Sequence, residues 1–137
     1  MHAEKLNEII VKETEALKDL LKLLEKQYDM LIKNDIFGLE GIVEDIQLAN
    51  KNIAEIEVER RKEAAGASIN NVVQSSNDDE LDRNFRNAKK LLLDIQVQKD
   101  TNDMLIKQGL GFSTRILNIL NPNRNIKTYN AYGKITK

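Results

Sequence analysis

The chain has 137 residues, enough for one domain with one core, and its 41% apolar and 31% charged residues set it apart from disordered sequences. With no cysteine and only 4% aromatics, disulfides, thiolate nucleophiles and cysteine zinc sites are excluded, and the core must be built from Leu, Ile, Val and Ala, as in helical bundles and coiled coils. The net charge of −1 is unevenly spread: from Asn121 onward there are four basic residues and no acid, which leaves 17 basic against 22 acidic residues before it, a sign unsuited to a phosphate backbone, so no nucleic-acid partner is expected.

The N-terminus, "MHAEKLNEII", carries acids early and lacks the apolar region of a signal peptide. No apolar run approaches the ~20 residues of a membrane span, so a cytoplasmic protein without membrane insertion is expected. The first helix is predicted over about residues 3–33. Ile10, Leu17, Leu24 and Leu31 repeat every seven residues, Leu6 and Leu20 form a second column with Glu13 and Gln27 in its remaining slots, and Ile9, Ala16, Leu23 and Met30 form a third. A stripe this wide predicts two neighbouring helices rather than one.

At "KNDIFG" the pattern breaks, and Asn34 or Asp35 is placed to cap a second helix over about residues 35–65. Its seam runs Leu39, Ile42, Ile46, Ala49, Ile53 and Ile56 and fades where Arg60 takes the next slot. So short a join predicts an antiparallel hairpin. Residues 66–77 read as a linker in which Ile69, Val72 and Val73 form at most one turn over the bundle end. Asn77 and Glu80 then resemble a capping box for a third helix over about residues 78–121, carrying Leu81, Phe85, Ala88, Leu92, Ile95, Asn102, Leu105, Ile106, Phe112, Ile116, Leu117 and Leu120. At about 40 residues, or ~60 Å, this helix must overhang or bend, and Gly109 and Gly111 mark where it would bend. The fold expected is all-α: an antiparallel three-helix bundle or coiled coil over residues 1–121, with a long third helix and a C-terminal docking tail over residues 122–137.

No catalytic constellation is visible. His2 is the only histidine and sits at the terminus; Glu4/Glu8 and Glu55/Glu59 are i,i+4 pairs without the second histidine of a di-metal bundle; no phosphate loop or nucleophile elbow occurs. An enzyme, a metal and a cofactor are therefore not expected. Two polar residues fall in apolar columns. Glu13 is expected at a flared helix end or paired with a lysine or arginine, and Asn102 either fixes register against a neighbouring helix or contacts a bound peptide.

The tail holds the only proline, Pro122, which stops the third helix. Burying Ile126, Tyr129, Tyr132 and Ile135 does not offset the backbone entropy of ordering the segment, so the tail is expected to order on a partner. Ile126, Tyr129 and Tyr132 step by three and Gly133 suits the end of a helical turn, which suggests a short docking helix. Tyr129 is the expected anchor.

Three stretches together resemble the FlgN family of flagellar export chaperones. "ALKDLLKLLEKQYDMLIKNDIFGLEGIVEDIQLANKNIAEIEVERR" is similar to the family's opening hairpin, which closes on arginine, here Arg60 and Arg61. "DTNDMLIKQGLGFSTRILNIL" resembles its asparagine-bearing third helix, with Asn102 in the matching place, and "KTYNAYG" resembles the tail signature through Thr128, Tyr129 and Gly133. "GLEGI" has more glycine than the family's helices usually carry, and the 66–79 segment matches nothing particular. The resemblance implies a cytosolic type III flagellar export chaperone that binds the amphipathic terminal segments of the hook-filament junction proteins, prevents their aggregation and escorts them to the export gate. A homodimer in the absence of client is compatible with it. The competing reading is a structural coiled-coil subunit of a permanent assembly. Asn102, Leu105, Phe112, Ile116, Leu117, Leu120, Ile126, Thr128, Tyr129, Tyr132 and Gly133 are the expected partner-binding residues. Since no metal ligand set is visible, EDTA should leave the melting temperature unchanged; a fall of several degrees would reveal a bound ion.

Overall fold

The computed structural model describes the backbone of residues 2–120, 128–129 and 135–136, and the side chains of residues 4–109 together with Asn118 and Ile119. Four helices follow in order: α1 (His2–Lys33), α2 (Ile36–Glu63), α3 (Ile69–Ser76) and α4 (Asp79–Leu120). Thr128–Tyr129 (β1) and Ile135–Thr136 (β2) form a short antiparallel ladder, with Tyr129 opposite Ile135, and β1 lies beside α4.

The α1–α2 join needs only two residues because each closes one helix end. Asn34 adopts a left-handed φ of 57°, which lets the Asn34 and Asp35 N–H groups bond back to the Leu31 and Met30 carbonyls. Asp35 then caps α2, its Oδ1 accepting from the Gly38 N–H at 3.0 Å. A Cβ at Gly38 would crowd the capping carboxylate, whose Cγ would be 2.8 Å away, so a larger residue there would displace the Asp35 side chain. The segment expected as linker holds α3, eight residues long, and its Val73 is buried against the bundle end. Asn77 is not the cap of the last helix. It ends α3 at φ 54°, and Asp78 caps α4 by accepting from Glu80 and Leu81 at 3.0 and 3.2 Å.

Cross-helix contacts set the directions. Lys5 of α1 meets Glu63 of α2 and, seven residues on, Lys12 meets Glu59, four residues earlier, so that pair is antiparallel. Asn7 of α1 accepts from Asn84 of α4 at 2.7 Å and Leu24 accepts from Asn102 at 2.8 Å, so α1 and α4 run parallel at an offset of about 77 residues. At that offset Lys33 is level with about residue 110, and α4 runs on to Leu120, roughly 15 Å further at 1.5 Å per residue. The helix is continuous through Gly109 and Gly111. The expected overhang is therefore present in the backbone.

α1 packs against both α2 and α4, but α2 and α4 nowhere bring described Cα atoms within 8 Å of each other. Leu6 and Ile10 join Val73, Leu81, Phe85 and Ala88 at one end of the bundle. Further along, Ile9 and Ala16 pack on Ile56, while Leu17, Leu20 and Leu24 pack on Ile95 with half-buried Ile46, Ala49, Ile53 and Leu91 around them. Leu92, expected in this column, is 47% exposed, and Leu91 takes its place. Beyond Leu24 and Ile95, toward the α1–α2 turn, Ile42 is the one apolar side chain buried among the described residues. The bundle is closed at the α3 end and open at the turn.

Arg60, where the α2 seam fades, is the partner of Glu13. Its Nε lies 3.4 Å from Glu13 Oε2, close enough to pair but not aligned for a hydrogen bond, and its Nη2 meets Glu57 at 3.3 Å. Burial holds the Glu13 carboxyl above its ordinary 4.5, Arg60 draws it back down, and Glu57 pushes it up. The folded state thus keeps this proton to higher pH than the unfolded chain does. Glu13's contribution favours folding below pH 4.5 and declines as pH rises above it. Arg60→Leu should destabilise the protein by about 3 kcal/mol at pH 7, with the loss shrinking toward pH 4.5 as the stranded carboxyl protonates. Glu13→Leu/Arg60→Leu should recover wild-type stability or better. Urea unfolding at pH 7 and pH 5 checks both, and a double variant as weak as the single would contradict the pairing.

Candidate functional site

The open end of the bundle is a groove of about 460 Å³, floored by α1 and walled by α2 and α4. Leu31, Ile36, Leu39, Val43, Leu105 and Ile106 supply its apolar lining. Three features of the chain make it. The two-residue turn brings the start of α2 up to Leu31 of α1. The separation of α2 from α4 leaves the space between them unfilled. The parallel register of α1 and α4 carries Leu105 and Ile106 to the level of the turn. The tip itself is apolar and solvent-facing, with Ile32, Ile36 and Phe37 exposed, Phe37 to 87%. With the groove beside it, this apolar tip is the candidate interaction surface.

Beneath the groove lies Asn102, 1% exposed. Its Nδ2 donates to the Leu24 carbonyl at 2.8 Å and to Gln27 Oε1 at 2.9 Å, and its Oδ1 accepts from Gln98 Nε2 at 3.0 Å. Every polar atom of the side chain is thus occupied within the bundle. Of the two roles the sequence left open for Asn102, the geometry matches the register-fixing one. Gln27 connects this tie to the groove, since it lines the floor and its Nε2 has no protein acceptor among the described residues.

The structure brings Asn102 and Leu105 together at one level of α4. Phe112, Ile116, Leu117 and Leu120 follow on the helical backbone beyond the turn, and their side chains lie outside the described residues. Ile126, Tyr132 and Gly133 also lie outside them. Thr128 and Tyr129 are extended and paired with Thr136 and Ile135, so the docking helix expected around Tyr129 is replaced there by a strand. Threonine, tyrosine and isoleucine favour that conformation, and the three-residue step of Ile126, Tyr129 and Tyr132 was too short to specify a helix. The α1 and α2 walls of the groove were missed as site residues. Ile36 and Phe37, an apolar pair directly after a helix cap, were the available signal, because the seam of α2 does not need them.

Among the described residues no group of three His, Cys, Asp or Glu side chains is placed to hold a metal, and no helix is long and apolar enough to cross a membrane. The geometry defines a helical bundle that presents an apolar groove and a protruding helix, the architecture of a protein that binds helical segments of other proteins. The family model of the FlgN protein matches residues 1–137, the whole length, and the chain belongs to the FlgN family. It is therefore a flagellar export chaperone for hook-associated proteins, non-enzymatic and cytoplasmic like the rest of its family. No curated protein and no solved structure matches it.

Asn102→Ala should destabilise the protein by about 2 kcal/mol, since the partners of a buried amide are left unsatisfied. Urea unfolding measures this, and wild-type stability would remove Asn102 from the α1–α4 interface.

Proposed function

We propose that the groove at the α1–α2 turn, continued by the overhanging end of α4, receives the amphipathic terminal segment of a hook-filament junction protein. The observation that carries this reading is the apolar trough between α2 and α4, which opens onto the overhang of α4. A client helix laid there buries the side chains that drive its aggregation and covers Leu39, Val43, Leu105 and Ile106 in return. The other expected contacts, Phe112, Ile116, Leu117 and Leu120, extend the same helix, and Asn102 acts from below by holding α4 in register. The tail over residues 122–137 serves as a second element, with Ile126, Thr128, Tyr129, Tyr132 and Gly133 presented to the client or, after loading, to the export gate. Without client, a second copy covers the exposed tip, and the chain is a homodimer that dissociates on loading.

Leu105→Glu should weaken binding of the client's terminal peptide by about 2 kcal/mol, the scale of a central anchor, while the fold persists because Leu105 is only half-buried. Titration calorimetry decides this, and unchanged affinity would remove the groove from client capture. Tyr129→Ala should weaken the same peptide by about 2 kcal/mol without lowering the melting temperature. Equal affinity there would shift the tail's role from client to export gate.

A further inference from the structure

The groove is apolar but not electrically neutral. Of its described lining residues Glu40 is the one that carries a charge; the other polar members, Gln27 and Asn34, are uncharged. Glu40 is exposed on the rim of α2, and no cation pairs with it among the described residues. This contrasts with the closed end of the α1–α2 interface, where Glu59, Glu63 and Glu57 all have lysine or arginine partners. Other hairpin acids, such as Glu8 and Glu55, are also unpaired among the described residues, but Glu40 is the unpaired acid that stands at the mouth of the groove. The bulk charge points the same way, since the sequence before Asn121 carries a net −5.

We infer that the occupant of this groove is an amphipathic helix with a lysine or arginine flanking its apolar stripe, and that Glu40 selects it by pairing with that cation. This rests on the reading of the groove given above and adds to it the chemistry of the partner. Leu31, Leu39, Val43, Leu105 and Ile106 provide affinity without discriminating among apolar helices. A charge at the rim supplies orientation and choice, because a helix with acidic flanks meets repulsion from Glu40. The pair is partly exposed, so its effect is modest and weakens with salt.

The test uses the full chain and two synthetic amphipathic helices of identical length and apolar stripe, one flanked by lysines and the other by glutamates. Fluorescence anisotropy at low salt should give the lysine-flanked peptide about threefold to fivefold tighter binding, in the range of an exposed ion pair. That preference should shrink in 0.5 M salt, disappear in Glu40→Gln and reverse in Glu40→Lys, with melting temperatures unchanged. Equal binding of both peptides, or a lysine preference that survives Glu40→Gln, would overturn the role of Glu40 while leaving the groove as a helix site. If neither peptide binds, or if Leu105→Glu binds both as wild type does, the groove reading fails and this inference fails with it. Binding that appears only after removal of residues 121–137, or only in a concentration range where the chain is monomeric, would give the groove to the chain's own tail or to a second copy and would equally overturn the proposal.

Discussion

The structure depends on one helix serving two partners that do not serve each other. α1 buries Ile9, Glu13 and Ala16 toward α2 and Leu6 toward α4, and Leu17, Leu20 and Leu24 pack on Ile95 with Ile46, Ala49 and Ile53 around them, while the backbones of α2 and α4 stay apart. A symmetric three-helix bundle would fill the space between its second and third helices with side chains from both. Here α2 brings a single-residue-wide seam, of which only Ile42 and Ile56 are fully buried. It can satisfy α1 but has little left to offer α4. The trough is a direct result.

Two of the polar ties that hold α1 to its partners involve a buried side chain, and they differ in kind. Glu13 and Arg60 form a partly buried ion pair that stabilises little in net terms, because desolvation opposes the attraction, but that strongly penalises misalignment. Asn102 is a neutral tie whose hydrogen bonds to Leu24 and Gln27 allow one register between α1 and α4. That register sets how far α4 projects past the turn. A slip of one helical turn would move the overhang by about 5.4 Å and carry Leu105 away from Leu39 and Leu31. The chemistry of the site thus rests on a residue that faces away from the solvent and from any partner.

The closed and open ends of the bundle divide the work. At the closed end α3 places Val73 over Leu6, Leu81 and Phe85, so that cluster is sealed without help. At the turn the side chains of Leu31, Leu39, Leu105 and Ile106 remain half-buried. Stability is supplied by one end, which leaves the other free to keep apolar surface available for binding. A chaperone that must release its client needs this arrangement, since its own folding then does not depend on the client being present.

By itself the sequence determined the three long helices, the tight hairpin, the overhang of the last helix, and the family. The helices, the hairpin and the overhang follow from periodicity, chain length and local capping chemistry, and the family follows from the resemblance of three particular stretches. What only the tertiary structure decided is which neighbour wins where two residues compete. Leu91 rather than Leu92 faces α1 because a straight helix drifts against a seven-residue repeat, and the rotation that absorbs the drift is set by the partner. Asp78 rather than Asn77 caps α4 because α3 ends on a left-handed Asn77 and so fixes where the next helix begins. Arg60 looked like the end of a seam because its partner, Glu13, is 47 residues away in the chain and adjacent only after the hairpin closes. The groove was hidden for the same reason. Its walls come from three helices, and a gap between helices is a property of their separation, which no local pattern of residues encodes.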